Sequence, residues 1–498
     1  FKIWQRLLFC IVTLIVYLIQ TKYRLYAVSR KFAGPWAVPL IGNVQMITKL
    51  KPAYLFLTIT KNRRKYGESF RLWLGTQLWV FLHTPEETRD ALNDPTLVKA
   101  DTFNQLNVLI GNGLLISHGK YWESHRRALG PAFHPNILNS FTEAIGQHGN
   151  KFVKKLKLKE NQTVEVSEFI FPCILDIVFD TSMGKQLNAQ DDQDCIYTQA
   201  FHNISICLFK RMVNPLLAFD FIFERTSLHG RLHTSLRLIH ELMENVIQER
   251  AELLKSAAAN QTELTEATTE RKRQRTFLDT LLTTDIEGKP LSFLEIRDEV
   301  NTFVLAGVDT TAAALGFIFY ALAKYPQKQQ KLFQEINDIQ LQTSTTPTIA
   351  NINRLEYLDM FIKECLRLYT IVPLTGRQST TDTKIGDKQY TAGITIWINM
   401  YGLAHDEAFF QQPFEFRPER FSRENQQLLH AFSYIPFSGG PHVCIGRKYA
   451  WMIMKILTVQ VLQNFELLLR DPNEELVLMA QMVLKSFHGI NIIFKPRC

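Results

Sequence analysis

One short loop constrains this chain more than any other stretch, because it combines glycines, a single cysteine and the start of a helix. It runs Phe437-Ser-Gly-Gly-Pro-His-Val-Cys444-Ile-Gly446, and a long apolar pattern of helical period follows it over residues 446–468. Glycines let the backbone approach a ligand closely, and a helix N-terminus favours an ionised sulfur. A cysteine in this setting is suited to hold a metal as a thiolate. The alternative is a buried structural cysteine after a glycine turn.

The longest helical pattern begins at the capping box Ser292-Phe-Leu-Glu295 and ends before Pro326. A helix of this length would be on the order of 50 Å long, enough to cross a domain. Near its middle lies Ala306-Gly-Val-Asp-Thr-Thr311, where the glycine weakens the helix and a threonine hydroxyl can divert hydrogen bonds from the backbone. On these residues alone, a tolerated glycine in a packed helix explains the stretch equally well.

Together these two stretches resemble the cytochrome P-450 family. The resemblance implies that Cys444 is the axial ligand of a haem iron, within a binding loop that includes Phe437 and Gly446. A thiolate ligand donates electron density that favours cleavage of the O–O bond of dioxygen. The resemblance also implies that Asp309 and Thr310 are an acid–alcohol pair that lines a groove in the helix and relays protons during oxygen activation.

The similarity is greatest to the insect-like, microsomal family-4 clan, judged from residues 299–303 and from the Pro436-Phe-Ser start of the cysteine loop. It runs from the hinge to the end of the chain. It implies a mainly α fold with small β-sheets (α+β), built as a single large domain around a long central helix. Within that domain, residues 69–82 predict a β-hairpin with its turn at Gly75-Thr76. Residues 255–275 are polar and predict a mobile surface loop.

Further haem contacts are implied by the resemblance. Trp122 and Arg126 are four residues apart on one helix face, so both can reach the same anion, although in isolation a surface ion pair is the simpler reading. Beside the cysteine loop they resemble haem propionate ligands, as does Arg377. His442 stands where the family usually has an arginine, which weakens one propionate contact and can make it pH-sensitive.

A structural ion-pair cluster is expected near the cysteine loop. Glu364 and Arg367 lie at positions i and i+3 of a helical pattern over residues 355–368, so they share a face. They match the family's Glu-x-x-Arg helix, and Arg420 matches the later arginine that completes a buried triad. The role implied for these three residues is structural.

The N-terminal region predicts a membrane anchor. Residues 7–19 form an uncharged apolar run, which is short for a full span unless neighbouring residues join it. No small-residue cleavage site follows closely, and Lys22 and Arg24 come next, so a signal anchor is favoured over a cleaved signal peptide. We therefore expect an anchor over residues 1–21, a basic Pro/Gly hinge over 22–43, and a haem-binding monooxygenase domain over 44–498. The implied location is the endoplasmic reticulum membrane, with the catalytic domain facing the cytosol.

The implied function is a haem-thiolate monooxygenase that inserts one oxygen atom from O2 into a small apolar substrate, either fatty-acid-like or xenobiotic. Apolar residues at 103–116 and 200–223 predict a greasy cavity. The implied cofactor is haem b (iron protoporphyrin IX). We expect it to be held non-covalently, because Ala306 stands where much of family 4 carries a glutamate that forms an ester with the haem.

Electrons are expected from NADPH through NADPH–cytochrome reductase, with cytochrome b5 as a further partner. Arg447 and Lys448 next to the cysteine loop suit an acidic partner. Two other functions stay open, namely a haem-thiolate isomerase or dehydratase, which would not need the Asp309–Thr310 pair, and a non-catalytic haem-binding protein. Nucleic-acid binding is not expected, because the net charge of +8 is not arranged as a basic stripe with interleaved aromatics.

Overall fold

The computed structural model describes residues 2–38, 41–44, 54–192, 194–214, 216–259, 275–339 and 348–497. The chain is mainly helical with small sheets, which confirms the predicted α+β class. The helices are α1 (Lys2–Ser29), α2 (Leu55–Tyr66), α3 (Pro85–Asn93), α4 (Asn107–Ile110), α5 (Gly119–Leu129), α6 (Pro135–Ser140), α7 (Thr142–Lys157), α8 (Ser167–Val178), α9 (Ile196–Val213), α10 (Asp220–Phe223), α11 (Ser227–Ala259), α12 (Phe277–Thr283), α13 (Phe293–Lys324), α14 (Pro326–Asp338), α15 (Ile349–Ile352), α16 (Glu356–Leu368), α17 (Met400–Ala404), α18 (Arg423–Leu428) and α19 (Arg447–Asn464). The strands are β1 (Ser69–Leu74), β2 (Gln77–Leu82), β3 (Leu97–Lys99), β4 (Thr163–Glu165), β5 (Asp285–Ile286), β6 (Lys289–Pro290), β7 (Leu374–Ser379), β8 (Thr383–Ile385), β9 (Lys388–Tyr390), β10 (Thr395–Asn399), β11 (Phe465–Leu468), β12 (Leu478–Ala480), β13 (Leu484–Ser486) and β14 (Asn491–Pro496).

The largest sheet has five strands in the order β1-β2-β10-β7-β3. Strands β1 and β2 form the predicted antiparallel hairpin, and Gly75 in its turn has a φ of 60°, which suits glycine. Strand β10 runs parallel to β2 and antiparallel to β7. On the other edge of β7, the antiparallel register of β3 places Lys99 opposite Arg377. Two positively charged side chains that are far apart in sequence therefore become neighbours.

Helix α13 is the predicted central helix. Its capping box is present, because the Ser292 hydroxyl accepts a hydrogen bond from the Glu295 N–H and the Glu295 carboxylate accepts one from the Ser292 N–H. The helix has 32 residues and is about 48 Å long. It is long and apolar enough to span a membrane, but 78% of its most apolar window is buried inside the protein. The helix is therefore the core of the domain.

The predicted ion-pair triad of Glu364, Arg367 and Arg420 is present. Arg367 and Glu364 are both fully buried, and Nε and Nη2 of the guanidinium bind the two carboxylate oxygens at 2.7 and 2.9 Å. Arg420 approaches the same carboxylate at 3.3 Å. The remaining donors of Arg367 reach main-chain carbonyls, including those of Ala404 and Pro413. Every charge in the triad is thus paired, which a buried cluster requires.

Two predicted boundaries are wrong. The helical pattern over residues 446–468 ends at Asn464, and Phe465–Leu468 forms strand β11, because pairing with β14 satisfies its backbone groups. The surface loop predicted at 255–275 starts too early, since helix α11 continues to Ala259. Positions 260–274 lie outside the described residues.

Helix α1 contains the apolar run predicted as an anchor. At its C-terminal end, Leu25 is buried and the Tyr26 ring stacks on Trp73 of the large sheet at 4.6 Å between centroids. The hinge then follows the sheet edge, where Ala33 forms a β-bridge with Phe70. Positions 39–40 of the hinge lie outside the described residues.

Candidate active site

A cavity of about 300 Å³ lies between the cysteine loop and the middle of helix α13. Cys444 faces it from one side, and Ala306 and Thr310 face it from the other. The walls are mostly apolar, with Leu114, Leu115, Phe133, Phe277, Phe303 and Ile371 among them. Of the two regions predicted to form a greasy cavity, 103–116 contributes Leu114 and Leu115. No described residue of 200–223 is part of the lining.

The cysteine loop holds its sulfur with main-chain groups. Gly440 has a φ of 65°, and a Cβ atom there would overlap the carbonyl of Leu92, so the loop needs glycine at this position. The Cys444 N–H donates to the Phe437 carbonyl at 3.0 Å, which closes the loop. The N–H groups of Gly446 and Arg447, at the start of α19, hydrogen-bond the sulfur.

The electrostatics of the sulfur favour a bound cation. The Cys444 side chain is exposed to the cavity, but the surrounding protein desolvates the thiol and raises its pKa, although the two N–H groups and the charges of Arg126 and Arg447 act in the opposite direction. Nearby positive charge is therefore not sufficient by itself to ionise the thiol. A metal ion bound to the sulfur would supply the missing charge, since a coordinating thiol is deprotonated.

Three of the four predicted propionate contacts line the cavity. Trp122, Arg126 and His442 all line it, and the Trp122 and His442 rings lie 3.7 Å apart between centroids. Arg126 donates to the Val443 carbonyl at 2.8 Å, which connects helix α5 to the cysteine loop. Burial, followed by the charges of nearby cations, lowers the pKa of His442 to about 3. The imidazole is therefore neutral near pH 7, and its contact with a carboxylate would be a hydrogen bond.

Lys99 was not among the residues predicted from sequence. It lines the cavity and is paired with Arg377, which is not part of the lining; desolvation, followed by the Arg377 charge, lowers the pKa of its ammonium. Burial also lowers the pKa of Arg377 to about 10, and Nη2 of that guanidinium is buried without a hydrogen-bond partner in the described part of the chain. Lys99 is an isolated lysine in the short strand β3, and no motif in the sequence around it indicates a contact with a ligand. Only the register of β3 on β7 brings it to the site.

This arrangement fits a haem. Lys99 is partly buried, and Arg377 is fully buried with an unused donor. Two adjacent cations in this setting are costly unless an anionic ligand compensates them, and two propionates would do so. The apolar walls suit a porphyrin ring, and Cys444 offers one thiolate ligand on the side opposite α13. Within the described ranges, no group of three or more His, Cys, Asp or Glu side chains could hold a metal ion. A single thiolate suits an iron whose other ligands come mainly from a macrocycle.

The predicted acid–alcohol pair is split between two faces of α13. Thr310 faces the cavity, and its hydroxyl donates to the Ala306 carbonyl at 2.7 Å. Asp309 is not part of the cavity lining and lies 2.9 Å from the Lys485 ammonium. Successive residues of an α-helix point about 100° apart, which accounts for the separation. Asp309 must turn away from Lys485 to reach the side of Thr310.

A basic groove lies on the thiolate side of the domain. Its volume is about 540 Å³, and its lining includes Lys363, Arg447 and Lys448. Arg447 and Lys448 are exposed, at the N-terminus of the helix that follows Cys444. Lys455 also lines the groove, but it is buried and paired with Asp359 at 2.7 Å. The exposed positive charge therefore comes from the start of α19.

Comparison with known proteins covers almost the whole chain. A family model described as cytochrome P450 matches residues 33–493. Cytochrome P450 4d2 of Drosophila melanogaster is 35% identical over 471 residues, which cover 93% of both chains. Cytochrome P450 4d1 of the same species is 34% identical over 501 residues, covering 98% of this chain and 96% of the relative. Cytochrome P450 4V2 of Homo sapiens is 34% identical over 466 residues, covering 93% and 89%. The matched range includes both the cysteine loop and the central helix.

Proposed function

The chain belongs to the cytochrome P450 family, and we propose that it inserts one oxygen atom from O2 into a small apolar substrate with electrons from NADPH that a reductase delivers. Membership of the family makes it a haem-thiolate monooxygenase. The observation that carries the proposal is the apolar cavity with Cys444 on one side and Thr310 on the other. Bound haem supplies the iron centre at which dioxygen is reduced.

The proposed roles around the haem follow from position and charge. Cys444 is the iron ligand, and Gly446 donates its N–H to the sulfur. Lys99 and Arg377 compensate the propionates, and the Lys99 ammonium is the group that sequence reasoning did not identify. Trp122, Arg126 and His442 line the same cavity and would complete the propionate contacts, and Phe437 of the cysteine loop would contact the haem from its side of the lining. The apolar walls exclude water and hold an apolar substrate, which is typical of ligand pockets.

Proton delivery is proposed to use both faces of α13. The Thr310 hydroxyl is positioned to hold a proton at the cavity once it exchanges its Ala306 partner for water. Asp309 would bring the proton from the outer face by leaving Lys485 and rotating toward Thr310. This relay favours oxygen activation over the alternative of a haem-thiolate isomerase or dehydratase. Reduction of dioxygen takes up protons, whereas rearrangement of a peroxide takes up none overall.

The proposed electron donor is NADPH–cytochrome reductase, with cytochrome b5 as a further partner. An acidic protein surface would dock at the basic groove, where Arg447 and Lys448 are exposed beside the Cys444 loop. Complementary charge of this kind mainly increases the rate of association. Reductase-supported turnover should therefore fall with increasing ionic strength.

The proposed location is the endoplasmic reticulum membrane, with the catalytic domain in the cytosol. Helix α1 exposes the apolar side chains of Trp4, Val12 and Val16, which are 77%, 50% and 46% accessible. Exposed apolar side chains on a helix at the edge of a domain suit insertion into lipid. Deletion of residues 1–21 should move the protein from the membrane fraction toward the soluble fraction.

The decisive test of the site is Cys444→Ser, with Cys195→Ser as a control at a buried cysteine that does not line the cavity. The reduced carbonyl complex should show the red-shifted band of a thiolate haem in the wild type and the control, and lose it in Cys444→Ser. Reductase-dependent NADPH consumption then distinguishes a monooxygenase from an isomerase and from a non-catalytic haem protein. Spin-state shifts across fatty acids, terpenoids and insecticide-like compounds would identify the substrate class.

A further inference from the structure

The loop over residues 111–116, which lines the cavity through Leu114 and Leu115, is hydrogen-bonded to two adjacent carboxylates of helix α13. The Asn112 N–H donates to Asp298 Oδ2 at 2.9 Å, and the Leu114 N–H donates to Glu299 Oε2 at 3.1 Å. Glu299 is 1% exposed and Asp298 is 5% exposed. Buried hydrogen bonds from main-chain N–H groups to carboxylates are among the stronger ones in proteins. We call Asp298 and Glu299 the carboxylate latch.

The glycines of this loop are required for its contact with the helix. A Cβ atom on Gly111 would overlap the Asp298 carboxylate, and one on Gly113 would overlap the Thr302 hydroxyl. Gly111 also has a φ of 49°, which an L side chain rarely adopts. The Gly-Asn-Gly sequence therefore lets the backbone lie directly against α13, where the carboxylate latch can reach its N–H groups.

Glu299 also binds a third element. Its Oε1 lies 2.9 Å from Nδ1 of His125, whose side chain is 3% exposed. His125 is on helix α5, next to Arg126 and one turn from Trp122, which are two of the proposed propionate contacts. One buried carboxylate thus connects this loop, the helix that faces the haem edge, and the central helix.

The latched loop forms part of the cavity wall. Leu114 and Leu115 line the cavity, and so does Glu299 itself. Helix α4, which leads into the loop, is held by Asn301, which donates to the Leu109 carbonyl at 2.9 Å. The position of the two leucines relative to Thr310 consequently depends on hydrogen bonds made by the first turns of the same helix.

We propose that Glu299 is a positioning residue that sets substrate selectivity, because it fixes Leu114 and Leu115 as the wall above the reaction site. The inference rests on the proposed monooxygenase site, and it adds a role for a residue that touches neither Cys444 nor Thr310 in the described contacts. Loss of the Glu299 carboxylate leaves the Leu114 N–H without its acceptor. The wall can then move outward and admit bulkier molecules.

The test compares Glu299→Leu with Glu123→Gln, a change of an exposed glutamate on α5 that pairs with Arg127. Hydrogen exchange is measured in the haem-loaded protein on peptides that cover residues 111–116. The hydrogen-exchange rate of the Leu114 amide should be about tenfold higher in Glu299→Leu than in the wild type. It should be unchanged in Glu123→Gln. An unchanged exchange rate at Leu114 would contradict the claim that the Glu299 carboxylate holds the loop.

Selectivity is measured in the same samples by spin-state titration with dodecanoic acid and camphor, a slender and a compact bulky probe. In Glu299→Leu the ratio of the two dissociation constants should shift about tenfold in favour of camphor, the bulkier probe. In Glu123→Gln the ratio should stay constant. Faster exchange with an unchanged ratio would overturn the selectivity role. If Glu299→Leu fails to bind haem, Glu299→Gln decides, because it keeps the size of the side chain and weakens the charge-assisted hydrogen bonds to the Leu114 N–H and to His125. A wild type that binds neither probe would count against the proposed function, while Leu114 exchange would still report on the latch.

Discussion

Asp309 on the central helix and Lys485 on strand β13 form an ion pair of 2.9 Å outside the cavity. Strand β13 is itself attached to the cavity wall, because the Leu484 N–H donates to the carbonyl of Ile371 at 2.8 Å and Ile371 lines the cavity. The second oxygen of Asp309 is buried and has no hydrogen-bond partner within the described residues. Lys485 is therefore the group that keeps this carboxylate on the outer face of the helix.

The first prediction concerns the strength of this pair. Lys485→Met leaves a buried carboxylate without its counter-ion, so the free energy of unfolding should fall by about 1–3 kcal/mol. Lys485→Arg should keep most of the stability. Asp309→Asn combined with Lys485→Met should lose less than the sum of the single changes, because both remove the same interaction. Thermal unfolding of the four variants checks this, and strictly additive losses would show that the two residues are not coupled.

The second prediction concerns Thr310. Thr310→Ala removes the hydroxyl that faces the cavity and should leave haem binding intact, as judged by the reduced carbonyl band. Product formed per NADPH consumed should fall about tenfold, with a matching rise in hydrogen peroxide. The reason is that the Thr310 hydroxyl no longer delivers protons to the reaction site. Thr310→Ser is the matched control and should retain most of the coupling. Wild-type coupling in Thr310→Ala would exclude a role in the relay.

The third prediction concerns Ala306, which lines the cavity and carries no carboxylate. We expect acidified organic solvent to extract the haem completely from the wild type. Ala306→Glu should acquire a fraction of covalent haem during turnover if its carboxylate reaches the ring edge. Mass analysis of the denatured chains checks both expectations. A wild-type chain that retains haem mass, with the adduct within residues 297–324, would contradict the first.

The fourth prediction concerns the pH dependence of stability. Burial, reinforced by the charge of Arg367, lowers the pKa of His405 to about 3, and its ring stacks on Tyr401 at 3.9 Å between centroids. The unfolded chain binds a proton at His405 near pH 6.5, but the folded protein does not, so stability falls as the pH decreases below about 6.5. At about pH 5 this single group accounts for about 2 kcal/mol.

His405→Phe keeps an aromatic ring against Tyr401 and removes the titrating group. The drop in unfolding temperature between pH 7 and pH 5 should therefore be smaller in His405→Phe than in the wild type. Because His83 is also buried with its pKa lowered to about 4, some pH dependence should remain. An identical drop in both proteins would show that His405 is not the group responsible.

Several features could be predicted because their signals are local. The capping box starts α13 where Ser292 and Glu295 place it, and Gly75 turns the β1–β2 hairpin. The loop around Cys444 could be recognised for the same reason, since its glycines, its cysteine and the following helix are contiguous. In each case, the residues that determine the backbone conformation are also those that adopt it.

Other features depend on contacts between distant parts of the chain. The approach of Lys99 to Arg377 is set by strand register, and the orientation of Asp309 toward Lys485 is set by the rotation of α13 against β13. The contact of Glu299 with the Leu114 N–H requires a loop to pack against a helix. The sequence by itself determined the central helix, the hairpin and the thiolate loop, because short-range hydrogen bonds and backbone preferences specify them. The tertiary structure alone decided which charges meet at the cavity, because that depends on how the elements pack against one another.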